Sequence, residues 1–159
     1  MDIDHGYEVR VVWQGNLGTG TSGYRAYSRA HEVTVSTGGL EKRHPIEGSA
    51  DRSFRGEADR WNPEELLLAA LSECHMLSYL HCAVTAGVVV ESYTDEATGT
   101  MRQQGEGGRF TGAVLQPSVT ISAGDPAAAE AAHRTAHELC FIANSVNFPV
   151  RIEPTIRTV

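Results

Sequence analysis

The chain has 159 residues, 41% of them hydrophobic and 21% charged, which suits one globular domain over residues 1–159 and excludes both disorder and a coiled coil. Twenty acidic against 13 basic residues leave a formal net charge of −7, and no dense Lys/Arg run occurs. That balance excludes nucleic acid and an anionic membrane surface as partners, because both need a positive face.

The start, Met1-Asp2-Ile3-Asp4-His5, lacks the basic-then-apolar layout of a signal peptide. The longest apolar stretch, Leu66 to Leu71, is too short to span a bilayer. A cytoplasmic protein without a membrane partner is expected. Tyr7 to Gln14 alternates like a strand, and Gly15 to Gly23 is a Gly/Thr-rich turn region. Tyr24 to Tyr27 and His31 to Ser36 read as further short strands. Thr37 to Arg60 reads as loop with one short strand near Pro45 to Gly48.

Asn62-Pro63-Glu64-Glu65 is the strongest local signal. Asn62 is a good N-cap, Pro63 suits the first helical position, and two carboxylates complement the helix dipole. The spacing predicts a helix of about 24 residues, about 36 Å long, ending near Gly87. Its residues are apolar on nearly every side, so it is expected to be largely buried, with sheet on one side and something else, such as a partner subunit, on the other. Val88 to Tyr93, Ala97 to Gln103, Arg109 to Leu115 and Ser118 to Ser122 then read as an antiparallel meander. Asp125-Pro126 opens a second helix through about Ala143, and Val150 to Ile156 reads as a closing strand. This order of elements makes the fold α+β with a mostly antiparallel sheet.

Three cysteines, Cys74, Cys82 and Cys140, do not suit a disulfide framework. In a reducing compartment a cysteine pair points to redox chemistry or metal, against the plain alternative of small buried hydrophobes. Cys74 lies about three turns into the long helix, where the helix dipole has faded. Its neighbours Leu71, Met76 and Leu77 are apolar, so reactivity requires a cation from elsewhere in the fold. Arg25, Arg29, Arg52, Arg55 and Arg60 are the upstream candidates.

Cys140 follows His137 and His133 at one-turn intervals. A metal site there needs an additional ligand, so a face of solvated histidines, or a thiol tuned by His137, are the competing readings. His75 and His81 fall on different sides of the long helix and read as packing or rim residues. Cys82 is roughly 12 Å from Cys74 along the axis, too far to bridge, and reads as structural. No phosphate loop, nucleophile elbow or His-Glu-x-x-His motif is present. The residues alone suggest redox chemistry without naming a substrate.

The run Asn62-Pro63-Glu64-Glu65-Leu66 through Ser72-Glu73-Cys74 resembles the helix of the OsmC/Ohr family that carries its peroxidatic cysteine. Ala136-His137-Glu138-Leu139-Cys140 resembles the helix with the resolving cysteine, including the histidine three residues earlier. The order of elements matches too, so the likeness covers nearly the whole chain. It implies a peroxidase that reduces organic hydroperoxides to alcohols. Cys74 would form a sulfenic acid, Cys140 would condense with it to a disulfide, and a lipoyl-bearing protein or small thiol would restore the pair. No other cofactor and no metal are implied.

The family's glutamate maps to Glu64. Its arginine maps to Arg55 by register, or to Arg25 as another branch places it. The resemblance departs after Cys140, where Phe141-Ile142-Ala143 replaces a usual proline, so the second helix is expected to run on and hold Cys140 rigidly. Glu64 and Cys74 lie ten residues apart on one helix, about 15 Å along the axis. If both serve one site, Glu64 comes from a second subunit, which predicts an intertwined homodimer. The rival function is a protein of the same fold that binds an apolar small molecule or a metal without turnover.

Overall fold

A computed structural model describes residues 3–37, 40–41 and 44–159. The chain divides into two compact units that part between Leu66 and Leu67. The first two residues of the expected leaderless start, and positions 38–39 and 42–43 of the expected loop, lie outside the described residues.

In the first unit, strands β1 (Arg10–Trp13), β2 (His31–Thr34) and β5 (Ile46–Gly48) form an antiparallel sheet in the order β1-β2-β5. Val11 stands opposite Val33, and Val33 opposite Ile46. The two-residue strands β3 (Ser36–Thr37) and β4 (Leu40–Glu41) pair with each other. The strand expected at Tyr24 to Tyr27 is absent. The backbone turns there, with the Ala26 N–H bonded to the Gly23 carbonyl at 2.9 Å. The Arg29 guanidinium takes the Tyr27 and Tyr24 carbonyls at 2.8 and 2.9 Å, which removes acceptors a neighbouring strand would need. Strand β1 leaves Val11, Val12 and Trp13 exposed, as are Tyr7 and Val9 just before it.

Helix α1 (Pro63–Thr85) begins as its sequence dictates. The Glu65 N–H donates to Asn62 Oδ1 at 2.8 Å, and the Asn62 N–H donates to Glu65 Oε2 at 3.1 Å, a reciprocal capping box. Val88 N–H closes back on the Ala83 carbonyl at 2.9 Å, and Gly87 takes a positive φ of 69° to allow it. Over its full length α1 is long and apolar enough to meet the composition of a membrane-crossing helix, as many core helices are, though Leu66 to Leu71 alone is not. The expected burial on nearly every side is not what a single chain provides. One stripe, Leu71, His75, Tyr79, Cys82 and Ala83, is buried, whereas Leu77 and Val84 are exposed. Leu68 and Leu80 are partly buried against the apolar clusters of the second unit.

The second unit holds β6 (Val89–Asp95), β7 (Thr98–Gln104), β8 (Gly107–Leu115), β9 (Pro117–Ala123), α2 (Pro126–Leu139), β10 (Val150–Ile152) and β11 (Thr155–Thr158). The four central strands are not a meander. β7 pairs with β8, and β6 pairs with β9 around them, so the hairpin is nested. The expected closing strand is two strands: β10 joins β8 and β11 joins β9, both parallel. The sheets, β10-β8-β7 and β11-β9-β6, are therefore mixed. Pro154 marks the hop between them, where a residue without an N–H cannot extend a ladder.

Two apolar clusters pack this unit. Tyr79, Cys82 and Ala83 of α1 meet Val119 and Ile121 of β9 and Ala129, Ala132 and Ala136 of α2. Leu71 meets Ala113 and Leu115 of β8, with Ile142, Val146 and Phe148 around them. Short alanines on α2 let that helix approach closely without strain.

Candidate active site

The two clusters fix α1 and the end of α2, and with them the two thiols. Cys74 is half-buried on α1, and Cys140 is fully buried. Helix α2 does not run on to Ala143 as expected. It stops at Leu139, and Cys140 is its C-cap in an extended conformation, with φ −70° and ψ 108°. The chain resumes as a short 3₁₀ turn at Ala143–Ser145, and the Asn144 amide donates to the Glu138 carbonyl at 2.9 Å. A side chain thus takes up a helix-end acceptor that a further helical turn would have used.

The Ala143 N–H donates to Cys140 Sγ at 3.4 Å. Burial nevertheless pushes the Cys140 thiol well up from its ordinary value, and the neighbouring Cys74 thiol pushes it further through a hydrogen bond and through charge. Burial and the neighbouring thiol both favour the protonated form of Cys140. Both thiols are free, and no disulfide joins them.

Beside the thiols lies a buried aromatic and imidazole stack. His75 Nε2 is 3.0 Å from His133 Nδ1, and the His133 ring stacks on Tyr79 with centroids 3.8 Å apart. Of the two readings of His75, packing holds, and the reading of His133 as solvated gives way: both are buried, at 0% and 2% exposure. His81 is exposed. Cys82 is buried in the core at 7% exposure, as a structural thiol should be. Among the described residues no three His, Cys, Asp or Glu side chains converge as a metal site requires.

In the first unit, a pocket of about 310 Å³ is lined by Trp13, Tyr27, Arg29, Phe54 and Glu64 among others. The Arg29 guanidinium lies 4.4 Å from the Tyr24 ring centroid and 4.2 Å from that of Tyr27, which orients it together with its two carbonyl bonds. Glu57 braces the pocket wall by accepting from the Ser28 hydroxyl at 2.5 Å and from the Ser49 hydroxyl, and these bonds hold its carboxyl below the usual range. Glu64 Oε2 is buried with no hydrogen-bond partner among the described residues. A buried carboxylate oxygen left so costs about 1–3 kcal/mol, which marks it as a group awaiting a donor.

Of the arginines named from sequence, Arg25 is exposed, and Arg55 is exposed with a left-handed φ of 66° at the end of a 3₁₀ turn; neither lines the Glu64 pocket. Arg29 does. Tyr24 and Tyr27 precede it by five and two residues, but strand-like patterning there concealed the turn that brings both rings to its guanidinium.

A two-helix α+β protein with nested hairpins and a pair of free, interacting thiols is the class these observations define. A profile described as OsmC-like protein matches residues 56–155, and the chain belongs to the OsmC family. An OsmC-like protein of unknown function from Vibrio cholerae is 33% identical, with a TM-score of 0.82 over 96% of this chain and 100% of that one. An organic hydroperoxide resistance protein OsmC from Legionella pneumophila is 18% identical, with a TM-score of 0.65 over 98% and 99%. The organic hydroperoxide resistance protein OhrB of Bacillus subtilis is 19% identical, with a TM-score of 0.58 over 94% and 98%. The last two share the fold at identities too low to carry more. No curated protein matches this chain.

Proposed function

We propose that this protein is a cysteine-dependent peroxidase that reduces organic hydroperoxides to alcohols in the cytoplasm. The observation that carries the reading is the pairing of Cys74 with Cys140, distant in sequence and close enough for the Cys74 thiol to raise that of Cys140. The Cys74 thiolate attacks the distal peroxide oxygen, the O–O bond breaks, and the alkoxide leaves to take a proton as alcohol. The Cys74 sulfenic acid then condenses with Cys140, releasing water and leaving a disulfide. A dithiol such as a lipoyl group, or a small thiol, returns both sulfurs to the reduced state. The names of the Legionella and Bacillus structures fit this chemistry.

Glu64 Oε2, without a partner among the described residues, and the oriented Arg29 line a charged pocket without a sulfur. Because α1 is one continuous helix, Glu64 stands about 15 Å along the axis from its own Cys74. In the proposed homodimer this pocket serves the thiol of the second copy, and the exposed faces of α1 and β1 are where the copies meet.

Anaerobic thiol titration with one equivalent of cumene hydroperoxide tests the reading. Loss of two thiols in the wild type, and a trappable sulfenate at Cys74 in Cys140→Ser, are the expected results. Retention of all thiols refutes it.

A further inference from the structure

Arg29 keeps its place in the first-unit pocket only if the backbone it grows from is held, and over Tyr24 to Tyr27 that backbone is a turn rather than a paired strand. Ser28, the residue before it, is bonded at every polar atom it has. Its N–H donates to the Gly15 carbonyl at 3.0 Å, and its carbonyl accepts from Trp13 Nε1 at 2.9 Å. Its hydroxyl oxygen accepts from the Ala30 N–H at 2.9 Å. A Cβ at Gly15 would collide with the Ser28 carbonyl, so only glycine allows this approach. These bonds stay within residues 13–30. The hydroxyl proton alone goes elsewhere, to Glu57 Oε1 at 2.5 Å.

Glu57 is itself fixed. Its Oε2 accepts from the Ser49 hydroxyl, and its N–H donates to the Ser49 hydroxyl oxygen at 3.1 Å. Ser49 is wholly buried and lines the same pocket as Arg29. The Gly56 N–H donates to the Asp51 carbonyl at 3.0 Å, and a Cβ at Gly56 would collide with the Ala50 carbonyl, so the segment that carries Glu57 is packed backbone on backbone.

Glu57 does not line the pocket, and the peroxidase chemistry leaves it unused. Its two oxygens instead join Ser49 on the pocket wall to Ser28, the anchor of Arg29. We propose that Glu57 is a positioning residue, which through Ser28 fixes the turn that holds the Arg29 guanidinium against the Tyr24 and Tyr27 rings. The guanidinium depends on that turn twice over, because its ring partners and its two carbonyl acceptors all belong to Tyr24 and Tyr27.

The charge on Glu57 strengthens the tie. The bond from Ser28 first, and that from Ser49 second, hold its carboxyl below the usual range, with the Arg60 charge assisting and burial opposing. A carboxylate accepts charge-assisted hydrogen bonds, which are shorter and roughly twice as strong as neutral ones. Without it, Ser28 keeps only the bonds within its own segment, and the Arg29 side chain regains the rotamer freedom that the turn had removed. A pocket whose charge must be placed anew at each turnover loses the advantage of preorganisation.

The effect on rate rests on the peroxidase reading, whereas the effect on Arg29 does not, so the test reads both. Glu57→Gln and Ser28→Ala weaken the same bond from its two ends. The Arg29 guanidinium N–H signals in an NMR spectrum, assigned by their absence in Arg29→Ala, are expected to exchange slowly with solvent in the wild type and about tenfold faster in either variant. Cumene hydroperoxide consumption is expected to fall about tenfold in each. It falls no further when either substitution is added to Arg29→Ala, because a residue that acts through the guanidinium then has nothing left to place. Slow exchange retained in both variants overturns the positioning role. So does a loss of rate that persists in full on the Arg29→Ala background, which is the mark of general damage to the fold. Ser28→Ala decides the matter if Glu57→Gln does not fold. A wild-type protein that consumes no hydroperoxide overturns the peroxidase reading alone, and the exchange measurement then settles the role of Glu57 by itself.

Discussion

The two units of this chain differ in what they bury and what they leave exposed. The second unit has a packed core, nested hairpins and both sulfurs, yet its buried polar groups are uncharged imidazoles and phenols. The first unit has an exposed apolar strand, an arginine against two tyrosine rings and a buried carboxylate oxygen without a partner among the described residues. Each holds what the other lacks. On the proposed peroxidase reading, with the sulfurs in one unit and the charged pocket in the other, reactivity would depend on assembly of two copies.

The division is broken most directly at the nucleophile. Cys74→Ser is expected to reduce cumene hydroperoxide consumption to background, while Cys82→Ser leaves it unchanged; a rate assay on both variants checks this. Next in size, Arg29→Ala is expected to lose about 100-fold in peroxidase rate, on the order of one preorganised charge contact. Arg25→Ala and Arg55→Ala, whose side chains do not reach the Glu64 pocket, are expected to stay near wild type. An equal loss in all three would remove the case for Arg29.

The packing side of the comparison is sharpened by Leu71→Ala. This residue is wholly buried between α1 and β8, and its truncation is expected to cost about 2–5 kcal/mol in urea unfolding. By contrast Val84→Ala, on an exposed turn of α1, should cost little in a monomer and show up in dimer dissociation instead.

Stability against pH probes the uncharged interior. His75 and His133 sit below their ordinary value of 6.5 in the folded state, at about 4 and about 3. The unfolded chain thus binds more protons as pH falls, so stability is full above about 7 and declines from about 6.5 towards 4. Chemical denaturation across that window should show the slope, and His133→Gln should flatten it. The smallest effect is expected at the capping box, where Asn62→Ala should cost about 1 kcal/mol.

Helix α1 was legible because its start is encoded locally, in Asn62, Pro63 and Glu65, and its end in Gly87. The end of α2 was not. No glycine or proline stands at Cys140, and the stop is made by the Asn144 amide and the packing of Ile142 against Leu71 and its neighbours, which local propensity does not report. Strand pairing was equally hidden, since alternation identifies strands but not partners, and β10 and β11 join strands far back in the chain. Of the candidate site, Cys74 and Cys140 stood out from the residues themselves, whereas Glu64 was marked by a resemblance. The bond of His75 to His133 was foreshadowed only by the placement of His75 on the stripe of Leu71 and Tyr79.

The hop at Pro154 ties the tail to both sheets at once. Three residues of β10 edge one sheet and four of β11 edge the other, so nine terminal positions act as a double stitch. Loss of β11 would uncover the backbone of β9 and present it to any passing strand, so these last two strands are a seam.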